Sequence, residues 1–490
     1  MVDLKKIAFA SGIGAMTAML LGSAQPPAKA ADRDHPEPGR QGEILPGEAR
    51  ILPQPYSRGV RLIGHEPLGG RTGNIQLAWM DRCAYVSSTL PGLPGGMKAN
   101  DPRSGVAVID VSDPRAPRQV GLLRDHGAIQ TTETIHAVSA PGRKVLVAGS
   151  YAGGNAMFGP HDPPYLDIYD VSDCKKPKLM AEYVWPENAH TVTVSPDGRF
   201  VYGTSQSQTQ PFTGHGGLQV LDISDMTRPR YIGRLKVEGP DGRLFEFAPH
   251  EVSVSPDGRR IYAGVTDSTS GDLNPGLKEG FNLERTMPET GGIYILDNSD
   301  IVDGKPDPRL RLISQVRHGG WHLVMQANID GVPYLVGGGE LSPCPGAVPQ
   351  IVNIADEKHP FIKGQFHLAM NRPDVCPPGP PSMKSFGAPY ATLHYNDVDS
   401  ATRTRLGLFN FTVAGLRIAD LRDPANPTEV AYFRPGDMCT GHVRYQPKSS
   451  QIWFICNESG FWVIGLAPDV PAGLGLNKAL DLARGKEPAL

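Results

Sequence analysis

The chain repeats a pattern in which a histidine is followed by alternating apolar and polar residues, a turn and a second apolar run. The clearest copies are HTVTVSPDGRFVYGTS at residues 190–205 and HEVSVSPDGRRIYAGV at 250–265. Alternation on both sides of a Pro/Asp/Gly turn predicts a β-hairpin. The six hairpins of this kind open at His136, His190, His250, His322, His394 and His442.

A third apolar run follows each hairpin and ends in a polar turn that often contains proline, as in GLQVLDISDMTRP (217–229). A short fourth run, such as RYIGRL (230–235), completes the unit. Successive opening histidines lie between 48 residues (394 to 442) and 72 residues (250 to 322) apart. A four-stranded unit repeated at this period predicts a β-propeller blade.

The count of hairpins is seven, because NIQLAWM and CAYVSS form a first hairpin with Asn74 in place of the histidine. The last unit, from His442, ends at GFWVIGL (460–466) and lacks a fourth run, which VRLIGH (60–65) can supply. Pairing of these two segments would remove the free edges of an open array. We therefore predict an all-β fold: a seven-bladed β-propeller with four antiparallel strands per blade, closed by an N-terminal strand.

The N-terminus has the pattern of a secretory signal peptide, since two lysines precede an apolar run at residues 7–22 that small residues follow. The alternative, an uncleaved anchor, requires about 20 apolar residues. We predict a periplasmic or secreted protein with no stable membrane insertion after cleavage. The expected divisions are a signal peptide at 1–30, an extended lead-in at 31–58, the propeller at 59–466 and a tail at 467–490.

Composition narrows the class of partner. Hydrophobic residues make up 39% of the chain and charged residues 20%, which is typical of a folded protein. The net charge is -3, so the basic surface of a nucleic-acid-binding protein is not expected.

The repeated histidines are the candidate chemistry. The first strand of a propeller blade lines the central channel, so residues that open this strand should meet around one axis. Imidazole is the commonest metal ligand in proteins and suits iron or copper. We predict that three or four of the six bind one transition metal ion, and that the others orient water or substrate. The alternative is that these histidines have only a structural role, as buried side chains held by hydrogen bonds. The candidate ligands are His136, His190, His250, His322, His394 and His442.

Two acids lie near this ring in sequence. Glu133 and Glu187 each precede a histidine by three residues, and either can fix an imidazole tautomer. They are the predicted catalytic residues, with solvated loop acids as the alternative. Long loops on the same face are expected to cover the ring, with Trp321 among the residues that can contact a small-molecule substrate.

Six cysteines in an exported chain indicate disulfides. The propeller frame brings Cys83 and Cys174 together on adjacent blades and puts Cys439 and Cys456 at the ends of one hairpin. Cys344 and Cys376 are then left as a third pair. An alternative is that Cys439, three residues before His442, is a thiolate metal ligand.

The segments VIDVSDP, IYDVSD, VLDISD and IADLRDP resemble the LVIVD-type repeats of bacterial β-propeller proteins. The histidine ring resembles the selenium-binding protein/methanethiol oxidase family, which is associated with copper. More distantly it resembles the carotenoid cleavage dioxygenases, which hold ferrous iron on four histidines. These resemblances imply an exported copper- or iron-dependent oxidoreductase acting on a small organic substrate.

Two other functions stay open at this point. One is a non-catalytic propeller that binds a protein or a cell-surface partner. The other is a metal-dependent hydrolase, although the sequence contains neither a G-x-S-x-G elbow nor an HExxH helix.

Overall fold

The structure is a computed structural model with seven antiparallel sheets arranged in a ring. The predicted all-β, seven-bladed propeller with four antiparallel strands per blade is confirmed. The structure describes residues 56–89, 96–151, 163–186, 189–204, 217–245, 249–265, 292–317, 321–339, 348–368, 392–412 and 414–473.

Each blade contains four strands that pair in order from the channel outward. The first strands are β3 (Asn74–Met80), β7 (Ile135–Ala140), β11 (Val192–Val194), β17 (Pro249–Val254), β21 (Leu323–Ile329), β25 (Leu393–Val398) and β29 (Val443–Gln446). The second strands are β4 (Cys83–Ser88), β8 (Arg143–Gly149), β12 (Phe200–Thr204), β18 (Arg260–Val265), β22 (Val332–Gly338), β26 (Leu406–Phe411) and β30 (Gln451–Cys456). The third strands are β5 (Val106–Asp110), β9 (Tyr165–Asp170), β13 (Leu218–Asp222), β19 (Gly292–Asp297), β23 (Gln350–Asn353), β27 (Gly415–Asp420) and β31 (Gly460–Leu466). The outer strands are β6 (Arg118–Leu123), β10 (Lys178–Val184), β14 (Arg230–Leu235), β20 (Leu310–Val316), β24 (Phe361–Gln365), β28 (Thr428–Arg434) and β2 (Val60–Glu66).

The seventh blade takes its outer strand from the N-terminal side of the propeller. Strand β2 pairs antiparallel with β31, with Val60 opposite Leu466 and Glu66 opposite Phe461. Residues 56–58, expected to belong to the extended lead-in, instead form β1 (Tyr56–Arg58), a fifth strand on the sixth blade. The chain is therefore tied to two neighbouring blades before the first complete blade begins.

The propeller also contains short strands and helices in addition to its four-stranded blades. Strands β15 (Val237–Glu238) and β16 (Leu244–Phe245) extend the fourth blade, where β15 runs parallel to β20. Helices α1 (Ser299–Val302) and α2 (Asp469–Gly473) are short, as are the 3-10 turns Leu68–Gly70 and Ala128–Gln130. None of the helices among the described residues has the length and apolar character needed to cross a membrane.

The hydrophobic core is divided into clusters that lie between adjacent blades. Leu146 and Tyr85, for example, pack between blades two and one, and Tyr202 packs with Tyr294 between blades three and four. Another cluster joins Val86 of blade one to Phe461 of blade seven. Burying side chains of this size stabilises the fold by about 1.5–3 kcal/mol each. Because the packing continues from blade seven to blade one, the ring is closed by core contacts as well as by strand pairing.

Candidate metal centre

One buried carboxylate lies among four of the predicted histidines. Oε2 of Glu133 is 3.4 Å from Nε2 of His190 and 3.9 Å from Nε2 of His250. Oε1 of Glu133 is 3.4 Å from Nε2 of His394 and 3.9 Å from Nε2 of His322. All five side chains are at most 4% exposed. We call these five residues the Glu133 cluster.

Three members of the cluster have the proximity expected of a metal site. Glu133, His250 and His322 each offer one ligand atom, and these atoms lie within 4.8 Å of one another. Nε2 of His190 is also 2.9 Å from Nε2 of His250. This His/Glu group can therefore hold a metal ion.

Glu133 belongs to the cluster because of the strand register in the second blade. Gly149 donates its backbone N–H to the carbonyl of Thr134, as Thr204 does to Thr191 in the third blade. Glu133 precedes Thr134 just as His190 precedes Thr191, so the acid and the histidine are structurally equivalent. In the second blade, therefore, Glu133 and not His136 occupies the ring position.

His136 lies further along the same strand and takes part in contacts between blades. Its Nδ1 accepts a hydrogen bond of 3.2 Å from the backbone N–H of Val194. Burial, with a smaller effect from the charge of Arg444, lowers the pKa of His136 to about 3, so the ring is neutral. The prediction that His136 shares one axial position with the other histidines does not fit this register.

The first blade is also shifted by one residue relative to the expectation. The backbone N–H of Gln76 donates to Ser87 Oγ, as that of Thr191 does to Thr204 Oγ1. Ile75, rather than Asn74, is therefore equivalent to His190. The side chain of Asn74 is held by Arg71 and by the carbonyl of Asn457.

His394 has a backbone partner that orients its ring. Its Nδ1 donates a hydrogen bond to the carbonyl of Thr440. The other ring nitrogen, Nε2, faces Oε1 of Glu133 at 3.4 Å. A carbonyl that orients an imidazole in this way is the usual outer partner of a metal-binding histidine.

His442 has the opposite arrangement. Its Nδ1 accepts a hydrogen bond of 2.8 Å from Nη2 of Arg444, because a guanidinium can only donate. The neutral ring therefore carries its proton on Nε2, where it has no lone pair for a metal. The ring of Tyr395 packs against His442, with 3.6 Å between centroids, and also contacts the rings of His394 and His322.

Burial and neighbouring charges shift the acids of the channel in different directions. Burial alone would raise the pKa of Glu133, but the imidazoles of His190, His322 and His394 outweigh it and hold the pKa well below its usual range. Burial raises the pKa of Glu251 to about 7, against the lowering charges of His322 and Arg444. Glu133 is therefore the anionic group of the cluster.

Two predicted disulfides are confirmed, Cys83–Cys174 and Cys439–Cys456. Cys439 is therefore not a thiolate ligand. Trp321, expected near the substrate, is 1% exposed and packs in the core between blades four and five. Glu187, the pair Cys344 and Cys376, and most of the long loops lie outside the described residues.

The LVIVD repeat family matches residues 213–237, which contain β13 and β14 of the third blade. This match supports the predicted repeat, whereas the resemblance to the selenium-binding protein/methanethiol oxidase family stays a prediction. No curated protein matches the chain.

Solved structures resemble the chain at low sequence identity. The β-propeller domain of Cps50 (Swd1) from Myceliophteria thermophila is 10% identical, with a TM-score of 0.50, over 83% of this chain and 99% of that domain. Hydrazine synthase from Kuenenia stuttgartiensis is 13% identical, with a TM-score of 0.47, over 81% of this chain and 96% of that one. Sqt1 from Chaetomium thermophilum is 11% identical, with a TM-score of 0.49, over 83% and 98%. The likeness to the first of these concerns the propeller fold alone.

Proposed function

We propose that the protein is an exported, metal-dependent oxidoreductase that acts on a small organic substrate in the propeller channel. The observation that carries the proposal is the convergence of four imidazole nitrogens on the Glu133 carboxylate at 3.4–3.9 Å. Export rests on the signal-peptide pattern of residues 1–30 and on two disulfides, which persist in oxidising compartments.

The distances between Glu133 and the four imidazoles fit the coordination sphere of one ion better than they fit hydrogen bonds. Two ligand atoms bound at about 2.1 Å are separated by about 3.0 Å at a right angle, 3.4 Å at a tetrahedral angle and 4.2 Å when opposite. N–H···O hydrogen bonds have lengths of about 2.7–3.2 Å. The four separations between Glu133 and the imidazoles, 3.4 and 3.9 Å, fall in the first range and beyond the second.

The chemistry of the donors favours iron over copper. Sites with two histidines and one carboxylate are typical of non-haem iron enzymes, and Glu133, His250 and His322 form such a set. His190 and His394 would complete or orient the set. A bound redox-active ion would supply electron transfer between the substrate and an oxidant such as dioxygen. The protein side chains would hold the substrate and exclude water, since the cluster is buried.

The direct test is the metal content of protein purified from its native compartment. We expect about one iron or copper ion per chain in the wild-type protein, and loss of that ion in Glu133→Ala and Glu133→Gln. Glu182→Gln removes a half-buried acid on the outer strand of the same blade and serves as the control. Equal metal content in the Glu133 variants and the control would contradict the proposal.

The same measurement separates the other functions. Zinc is also bound by two histidines and a glutamate in hydrolases, so stoichiometric zinc with no binding of iron or copper would favour a metal-dependent hydrolase. A protein that takes up no metal under any loading condition would favour a propeller that binds a protein or cell-surface partner.

A further inference from the structure

A buried arginine lies near the Glu133 cluster and has no carboxylate partner among the described residues. Arg444, on β29, is 7% exposed. Its Nη2 donates to Nδ1 of His442, and its guanidinium packs over the ring of Trp79 at 5.2 Å from the centroid. Within the part of the chain that the structure describes, no acid forms an ion pair with it, and its Nε has no acceptor. A buried cation without a counter-ion is costly, which makes this arginine a candidate for ligand binding.

The neighbouring imidazole adds a second donor. Because Nδ1 of His442 accepts from Arg444, the proton of the neutral ring is on Nε2. Burial and the charge of Arg444 lower the pKa of His442 well below its usual range, which keeps the ring neutral. Among the described residues, Nε2 of His442 has no hydrogen-bond partner. Each of these two neighbouring buried residues thus has a donor without an acceptor among the described residues.

The nearest acids do not take this role. Oδ2 of Asp397 accepts the backbone N–H of Tyr445 at 2.8 Å. Burial raises the pKa of Asp397 to about 6 and that of Glu251 to about 7, although Arg444 lowers both. The charge of the Arg444 guanidinium therefore lowers the pKa of both carboxyls from a distance, and neither carboxyl is in contact with it.

Arg444 is 7% exposed and packs over Trp79, which is partly exposed. His136, Met325 and Trp79 on the first strands of other blades are partly exposed, whereas the Glu133 cluster is fully buried. Tyr395 connects Arg444 and His442 to the cluster, since its ring contacts both His442 and His394. A small molecule held at Arg444 would therefore lie next to the cluster.

We propose that Arg444 and His442 bind an anionic group, and that the substrate is a small organic acid held by its carboxylate. This inference rests on the proposed function for the identity of the reacting centre. It also makes a claim of its own, because the anion site consists of residues outside the cluster. A guanidinium and a neighbouring N–H match the two oxygens of a carboxylate, and hydrogen bonds between charged groups are about twice as strong as neutral ones.

The test is calorimetric titration of the full-length, metal-free protein with acetate, inorganic phosphate and methanesulfonate in a buffer without competing anions. We expect acetate to bind best, with affinity reduced at least tenfold in Arg444→Met and partly restored in Arg444→Lys. Gln446→Met changes a buried residue two positions further along β29 and should bind acetate like the wild type. Thermal melting of each variant checks that it is folded.

Each result bears on the proposal. Equal acetate binding by the wild type and Arg444→Met, or no binding of any of the three anions, would overturn the anion site. Preference for phosphate or methanesulfonate would overturn the carboxylate assignment. Titration of Glu133→Ala separates this inference from the proposed function: acetate binding retained in a variant without metal supports the anion site, whatever the fate of the metal-dependent activity.

Discussion

Nε2 of His394 lies 3.4 Å from Oε1 of Glu133, while Nδ1 of the same ring donates to the carbonyl of Thr440. A carbonyl can only accept a hydrogen bond, so Nδ1 carries a proton and Nε2 is the ring atom left to bind a metal ion beside the carboxylate. A metal ion between Nε2 and the carboxylate oxygen would be attracted by both atoms. This relationship distinguishes His394 from His442, whose lone pair is used by Arg444.

Replacing His394 should therefore weaken metal binding, whereas replacing His136 should not. We expect His394→Ala to raise the metal dissociation constant at least tenfold, since even outer partners of metal sites contribute about 10–100-fold. His136→Ala removes an imidazole of the same channel that contacts Val194 and is the matched control. Competition with a chromogenic chelator measures both constants. A larger effect from His136→Ala would contradict the assignment.

The disulfide at Cys439–Cys456 should support the site as well as the fold. Asn457 accepts hydrogen bonds from Thr440, whose carbonyl in turn holds His394. Replacing both cysteines by serine should cost about 3 kcal/mol for a separation of 17 residues and weaken metal binding. Replacing Cys83 and Cys174, 91 residues apart, should cost about 5 kcal/mol without affecting metal affinity. Denaturant unfolding and chelator competition measure the two effects. Metal affinity reduced equally in both double variants would contradict this link.

The propeller could be predicted from sequence because each blade repeats the same alternation and the same turns. Strands β13 and β14, for instance, follow directly from GLQVLDISDMTRP and RYIGRL. The pairs Cys83–Cys174 and Cys439–Cys456 could be predicted once the blades were assigned. The pairing register of the strands within each hairpin could not be predicted as well as the strands themselves, because the register depends on where each hairpin turns.

The second blade illustrates this limit. Its hairpin continues to a two-residue turn at Pro141 and Gly142, with Ala140 opposite Arg143. In the third blade the turn comes sooner after the ring position, at residues 195–198. Aligning His136 with His190 therefore misplaces the first strand of the second blade by three residues. The longer strand was visible in the sequence TETIHAVSAPGR, where Thr-Ile after Glu133 corresponds to Thr-Val after His190. The tautomers of His394 and His442 had no such signal, because they depend on atoms of other residues in the folded chain.

Closure of the ring by β2 depends on a glycine. A Cβ atom on Gly64 would lie 2.1 Å from the carbonyl oxygen of Pro114 in the first blade. A Cβ atom on Gly364 would likewise lie 2.2 Å from the carbonyl oxygen of Pro424. Gly64→Ala should therefore push β2 away from its neighbour and cost about 1–3 kcal/mol. Leu62→Ala, at a side chain that is 57% exposed, is the control on the same strand. Equal thermal midpoints for the two variants would contradict a close approach.

A buried acid remote from the cluster should make stability depend on pH. Asp167 on β9 is fully buried, and its Oδ2 accepts hydrogen bonds from the backbone N–H of Ala128 and from the hydroxyl of Tyr169. Burial, together with the charges of Asp125 and Glu182, raises its pKa from 3.8 to about 7 despite these hydrogen bonds. The folded protein therefore holds a proton on Asp167 that the unfolded chain loses near pH 4.

The sign of the effect follows from proton linkage. The folded state binds more protons than the unfolded state between pH 4 and 7, so this group's contribution is fully present below pH 4 and is lost as pH rises to about 7. The pKa change corresponds to about 4 kcal/mol. Asp167→Asn keeps an acceptor for Ala128 and cannot ionise, so it should match the wild type near pH 4 and be more stable at pH 8. Asp170→Asn is the control on the same strand, at a partly exposed acid whose pKa is lowered by hydrogen bonds from Ser172 and which therefore stays ionised from pH 4 to 8. Denaturant unfolding at both pH values measures the difference in the free energy of unfolding. If Asp167→Asn loses stability between pH 4 and 8 as steeply as the wild type, Asp167 ionises at its ordinary pKa and the prediction is wrong.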